Sequence, residues 1–196
     1  MASAGRVVAG TAGGIALAAA GAGTRPLADR VKQAVFGALE PVLAGAAVVD
    51  VCAGSGAAGI EALSRGAGSA VLVERDPGAC RVIAENLRRT GLADGATILR
   101  RDAVGALRDL AAAGTRFEVA IVDPPYAETA LRDAVLGLLG APGGPLAAGA
   151  TVVVTAHWRE PPPPVIGLLR SARVRRFGET AITFYRREPG EVAPAG

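Results

Sequence analysis

The chain has 196 residues, 51% of them hydrophobic and 20% charged, with a formal net charge of +3. That length suits one domain of about 100–200 residues plus an appendage, and the composition excludes bulk disorder. Two cysteines, Cys52 and Cys80, make neither a disulfide framework nor a zinc site. The single histidine, His157, removes most metal-ligand sets and most nucleophilic mechanisms built on a catalytic histidine, so no metal is expected. Lys32 is the one lysine among 21 basic residues. The mild positive excess permits a polyanionic partner without requiring one.

From Val7 to Thr24 there is no charge, and Arg6 and Arg25 flank the stretch. That is the outline of a signal peptide. The segment is mostly Ala and Gly, however, and each glycine costs roughly 1 kcal/mol in a helix interior. It is expected instead as two short strands, Arg6–Ala9 and one around Ile15–Ala18, with no membrane span. Leu27, Val31, Val35 and Leu39 then recur every four residues, a helical stripe that Pro26 starts and Pro41 stops.

A strand–helix rhythm follows. Strands are expected at Ala46–Val51, Ser69–Glu74, Ala96–Arg100, Phe117–Asp123 and Gly149–Thr155. Helices are expected at Ala57–Arg65, Pro77–Thr90, Ala103–Ala113 and Thr129–Leu139. Near-continuous apolar strands alternating with helices imply an α/β fold, doubly wound around a mostly parallel sheet. Right-handed crossovers bring the C-terminal strand ends to one edge, where such sheets bind ligands. Four prolines, Pro161–Pro164, form a stiff connector, and Val165–Phe177 with Thr180–Arg187 reads as an antiparallel C-terminal hairpin.

Two loops carry chemistry. Asp50-Val51-Cys52-Ala53-Gly54-Ser55-Gly56-Ala57-Ala58-Gly59 contains a Gly-x-Gly-x-x-Gly fingerprint, and Glu74 lies 20 residues after Gly54. The glycines allow either a dinucleotide or S-adenosylmethionine (SAM). Asp50 favours SAM. A pyrophosphate beside it would meet a like charge, whereas an ammonium and a sulfonium would meet an opposite one. Glu74, with Arg75 next to it, is placed for the ribose hydroxyls, and Asp102-Ala103 for the adenine amino group. Cys52 reads as a small filler rather than a nucleophile. The second loop, Asp123-Pro124-Pro125-Tyr126, matches the Asp-Pro-Pro-Tyr motif of methyltransferases that act on exocyclic amines of bases. The Asp123 carboxylate and the Pro124 carbonyl can accept both N–H groups of such an amine. Pro125 stiffens the loop, and Tyr126 offers a face for stacking worth ~1–3 kcal/mol. Positioning then supplies most of the catalysis.

Further motifs share the order of one family. Arg25-Pro26 and Asp29-Arg30-Val31-Lys32 precede the glycine loop. Glu61-Ala62-Leu63-Ser64-Arg65-Gly66, Val73-Glu74-Arg75-Asp76 and Asn86-Leu87 surround or follow it, and the Asp123–Tyr126 loop comes last. From about Arg6 to Arg187 the chain resembles the bacterial RsmD family of 16S rRNA guanine-N2-methyltransferases. The resemblance implies a seven-stranded, Rossmann-like SAM-dependent methyltransferase domain over residues 24–188, a β-hairpin arm over 1–23 and a tail over 189–196. It implies a cytoplasmic monomer acting on 16S rRNA or the assembling 30S subunit. SAM would be held by Asp50, Ala53, Gly54, Ser55, Gly56, Glu74, Arg75, Asp102 and Ala103. Asp123, Pro124, Pro125 and Tyr126 would handle the base, and Arg25, Arg30 and Lys32 the RNA. Two departures stand out. The hairpin carries basic residues in the family and none between Gly13 and Gly21 here, and Leu27-Ala28 replaces residues that are usually polar or small. Adenine-N6 methylation and a non-catalytic RNA-binding role are the alternatives.

Overall fold

The computed structural model describes residues 3–21 and 28–189. Its main sheet runs through β3 (Ala47–Val51), β4 (Ser69–Glu74), β5 (Ala96–Arg100), β6 (Phe117–Val122), β7 (Leu146–His157), β8 (Val165–Ile166), β9 (Leu169–Phe177) and β10 (Thr180–Arg187). The spatial order is β5-β4-β3-β6-β7-β10-β9-β8. The five strands from β3 to β7 are parallel to their neighbours, and β10, β9 and β8 add on antiparallel. The expected seven long strands are present. An eighth of two residues, β8, arises because Gly167, at φ +55°, turns the expected Val165–Phe177 strand back on itself.

Apolar side chains alternate between the two faces. Val48, Val119, Ile121, Val153, Ile182 and Phe184 pack beneath α1 (Asp29–Leu43), α2 (Ala57–Ser64) and α3 (Pro77–Thr90). Val49, Val51, Ala120, Val122, Val152 and Val154 pack beneath α4 (Ala103–Ala112) and α5 (Thr129–Gly140). The helix ends follow local chemistry. Asp76 caps α3 by accepting the Ala79 N–H at 2.7 Å, with Pro77 in the first turn, and Gly91 closes it at φ +69°. Helix α1 does not stop at Pro41 but runs to Leu43, with Leu39 and Leu43 both buried. Burying those two side chains outweighs the one backbone bond that Pro41 cannot donate.

The arm is a hairpin of β1 (Ser3–Arg6) and β2 (Ala16–Ala18). The first strand ends at Arg6 rather than Ala9, because the next amides leave the hairpin. Val8 and Ala9 N–H donate to the two carboxylate oxygens of Glu61, at 2.7 and 3.1 Å. Ser64 Oγ donates to Ala9 O at 2.7 Å and accepts from Ala12 N–H at 2.9 Å. Asn86 spans the Ala18 backbone, accepting from its N–H at 2.8 Å and donating to its carbonyl at 3.0 Å. Val7, Ala12 and Leu17 bury in the same core as α1 and α2. The arm is thus held by its main chain and three small apolar plugs. Among the described residues no helix is long and apolar enough to cross a membrane.

Candidate active site

The order in which strands are added reverses between the parallel neighbours β3 and β6: from β3 the sheet grows through β4 to β5, then restarts on the other side at β6. A cleft opens at such a switch point, at the C-terminal strand ends. Here it has a volume of about 900 Å³. Strand parity aims the polar groups into it. Asp50 shares a face with Val48, Asp123 with Ile121, Thr155 with Val153, and Thr180 with Ile182. All four therefore sit on the α1–α2–α3 side.

Asp50 is buried, and its Oδ2 accepts the Gly59 N–H at 2.8 Å. Gly59 must be glycine, since a Cβ would lie 2.9 Å from Leu72 Cδ2 and 3.3 Å from that same carboxylate oxygen. Burial pushes the Asp50 carboxyl up to about 7, against the Gly59 bond, and the nearby Asp123 and Glu74 carboxylates add to the rise. Burial likewise pushes Asp123 up to about 6, opposed by a hydrogen bond that the Thr155 hydroxyl donates to its Oδ1. Both groups bind protons more tightly folded than unfolded. Their contribution to stability is therefore full below about pH 4 and is lost as the pH rises through 6 and 7. Two carboxyls raised side by side constitute a site waiting for positive charge.

The glycine loop is fixed from several sides. Gly54 N–H donates to Glu74 Oε2 at 2.9 Å, and Glu74 Oε1 accepts the Asp76 N–H at 2.9 Å. Ala53 N–H donates to Val73 O at 3.0 Å. Gly56 stands in the left-handed region at φ +77°, where a Cβ would also meet Leu72 and Ile83. Asn86 donates to Ser55 O at 2.9 Å, so one amide ties the loop to the arm. Cys52 is the one non-glycine residue at positive φ among those described. Burial pushes its thiol up to about 12, chiefly by desolvation with help from Glu74, which makes it a poor nucleophile.

In the second loop the Pro125 carbonyl is taken by the Glu128 N–H at 2.8 Å, while no described residue donates to the Pro124 carbonyl. Tyr126 shares a 2.6 Å hydrogen bond with the Thr180 hydroxyl, and its ring meets His157 edge-on at 6.3 Å.

The cleft brings together Asp50, Ala53, Gly54, Ser55, Glu74, Arg75, Asp102, Ala103, Asp123, Pro124, Pro125, Tyr126 and Arg30. Asp102 also caps α4, accepting the Gly105 N–H at 2.8 Å. Arg75 crosses to Glu128 at 3.1 Å, and Arg30 stands 5.9 Å from the Phe177 ring centroid. Gly56 shapes the loop from behind and does not line the cleft. Arg25 lies outside the described residues. Lys32 corrects the expectation of an RNA contact. It is fully buried, donates to the Arg6 carbonyl and pairs with Asp29 at 3.3 Å. The arm covers this face of α1 and turns the lysine into an internal strut. Thr180 and Phe177 line the cleft and Thr155 supports Asp123, none of them singled out by the sequence reading, and Arg176 of the C-terminal hairpin lines the cleft as well. Register places them: β7 against β6 for Thr155, β10 against β7 for Thr180, and β9 against β10 for Arg176 and Phe177.

Comparison with known proteins agrees with this architecture. The family model described as "Conserved hypothetical protein 95" matches residues 5–186. YlbH of Bacillus subtilis strain 168 is 36% identical over 184 residues, covering 93% of this chain and 98% of that protein. "Ribosomal RNA small subunit methyltransferase D" of Escherichia coli K12 is 34% identical over 166 residues, covering 85% of this chain and 81% of its own length. The solved structure of yhhF from Escherichia coli superposes with a TM-score of 0.82 at 31% identity, covering 94% of this chain and 98% of that one. The chain belongs to this family, that of conserved hypothetical protein 95 and ribosomal RNA small subunit methyltransferase D.

Proposed function

We propose that the protein transfers a methyl group from SAM to the exocyclic N2 amine of a guanine in 16S rRNA. The observation that carries this is the pair of adjoining, proton-hungry carboxyls, Asp50 and Asp123, at the meeting point of the two loops. A pyrophosphate would be repelled there; a cationic cofactor would be welcomed. The residues fit SAM. Asp50 would hold its ammonium end, the glycine loop would let the backbone approach, Glu74 would accept from the ribose, and Asp102 and Ala103 would meet the adenine. Arg75 flanks the ribose side. When bound, SAM supplies an electrophilic methyl group on a sulfonium.

The remaining work falls to the second loop. With Thr155 on Oδ1, Asp123 presents Oδ2 to one amine N–H, and the Pro124 carbonyl accepts the other. Two acceptors on two N–H groups draw the nitrogen out of conjugation with the ring and free its lone pair. Tyr126, held by Thr180, supplies the stacking face for a base unstacked from its helix. Arg30, and Arg25 upstream, would meet the backbone. The relatives named ribosomal RNA small subunit methyltransferase D support a substrate in the small ribosomal subunit. The partner proposed is 16S rRNA in an assembling 30S particle, met in the cytoplasm by a monomer.

The direct test is tritiated methyl transfer from SAM to undermethylated 30S particles, naked 16S rRNA and DNA, followed by nucleoside analysis. N2-methylguanosine is expected; N6-methyladenosine would reject the target. Binding also carries a pH signature. A cation beside Asp50 lowers its pKa, so SAM binding should release protons near pH 7 and tighten as the pH rises through 7. Calorimetry at about pH 6–7 in two buffers of different ionisation enthalpy measures the release. Proton uptake instead would place the cation elsewhere.

A further inference from the structure

The rim of the cleft carries an arginine that the base pocket and the cofactor loop leave unused. Arg176, at the end of β9, lines the cleft beside Tyr126 and Thr180 and is exposed. Two contacts fix its guanidinium. Its Cζ stands 3.7 Å from the Trp158 ring centroid, and its Nε–H donates to Gly178 O at 2.8 Å. The Trp158 main chain is itself tied to the hairpin turn, its backbone N–H donating to Glu179 O at 2.9 Å. No carboxylate pairs with Arg176, and its two terminal nitrogens have no hydrogen-bond partner among the described residues. A stacked, oriented, uncompensated guanidinium is an unusual thing to leave at a surface. Its outward fork matches a phosphate.

Its location says which phosphate. A row of rings, Tyr126, His157 and Trp158, with centroids 6.3 and 6.2 Å apart, leads from the base pocket to Arg176. A nucleotide whose base enters beside Tyr126 leaves its sugar and flanking phosphates at the mouth. We propose that Arg176, positioned by Trp158, clasps a backbone phosphate of the RNA next to the target nucleotide. The proposal rests on the reading of the substrate as RNA and adds a gripping residue on the hairpin to Arg30, which stands against the neighbouring Phe177. It also accounts for how the chain can hold RNA with an arm that carries no basic residue from Val7 to Ala20.

The test is a titration of unmodified 16S rRNA transcript against the full chain at several salt concentrations. Arg176→Ala should weaken binding about tenfold, as expected for one charge-assisted contact. It should also flatten the slope of log affinity against log salt by ~0.7–0.9. Arg176→Lys should keep the slope but lose affinity, since a point charge lacks the fork and the stack. Trp158→Ala should weaken RNA binding and Trp158→Phe restore most of it. SAM affinity should be unchanged throughout, and the loss in turnover should appear in the KM for RNA rather than in kcat. Arg176→Ala with the parent's affinity and slope would overturn the proposal. So would a loss confined to capture of small-subunit proteins, which would make the rim a protein contact. Nucleoside analysis of the labelled product is separate: a product other than N2-methylguanosine would sink the substrate reading and leave the phosphate contact standing.

Discussion

Replacing Asp123 with alanine should slow methyl transfer by about 10²–10³-fold, the usual cost of deleting one preorganised electrostatic partner of a reacting group. SAM affinity should hardly change. Asp50 remains in place, and removing Asp123 takes away one of the like charges that raise the Asp50 carboxyl. The proton release on SAM binding should accordingly shift to lower pH. Asp123→Asn should be milder, because an amide oxygen can still accept one N–H and the Thr155 hydroxyl can still donate. Single-turnover kinetics with saturating SAM, set beside calorimetric SAM affinities, separates the two effects. Equal losses in rate and in cofactor affinity would contradict the division of labour between the loops. Thr155→Val leaves Asp123 without the bond that opposes its raised pKa. Its pH–rate profile should therefore move upward.

The second large effect concerns stability. Glu61 sits fully buried in α2, accepts the Val8 and Ala9 amides and pairs with Arg65 at 2.6 Å. Glu61→Ala leaves two amides and a cation without their acceptor. Breaking a buried pair from one side costs about 3–5 kcal/mol. Arg65 keeps part of its surface in water, which puts the expected cost near the lower figure, or a fall of about 6–12 °C in melting temperature. Limited proteolysis should then cut within residues 7–15 well before the rest of the chain. Glu61→Gln, which keeps one acceptor, should fall between. A variant as stable and protease-resistant as the parent would show that the apolar plugs Val7, Ala12 and Leu17 suffice to seat the arm.

Much of this was written locally in the chain. Strand and helix periods, the caps of α3 and the two loops could be read in order, and the doubly wound topology then brings Asp50, Glu74, Asp102 and Asp123 to one edge. What could not be read came from pairing at a distance. Thr155 reaches Asp123 and Thr180 reaches the cleft only because β7 lies beside β6 and β10 beside β7. Arg176 reaches it because β9 folds back after four prolines, a connector pinned by the Tyr185 hydroxyl on Pro163 O at 2.6 Å. Lys32 misled for the same reason. On an isolated α1 it would face water, and it is the arm, some 26 residues earlier, that covers it. Glu61 did leave a trace: a single acid in the run Ala57–Ser64, where every residue is buried. A charge in such a run demands a partner.

An arm gripped by amides and carbonyls is indifferent to much of the lettering it bears. Glu61, Ser64 and Asn86 would hold almost any short residues threaded through the same path. The exceptions are the buried plugs Val7, Ala12 and Leu17, the positive-φ glycines Gly5 and Gly14, and above all Gly10, where a Cβ would fall 1.8 Å from the Ser64 carbonyl oxygen. The segment therefore behaves as a socketed handle, open to rewriting at its tip. The tip loop could be exchanged there, or a reporter peptide spliced between Gly13 and Gly14, without reshaping the chemistry beneath.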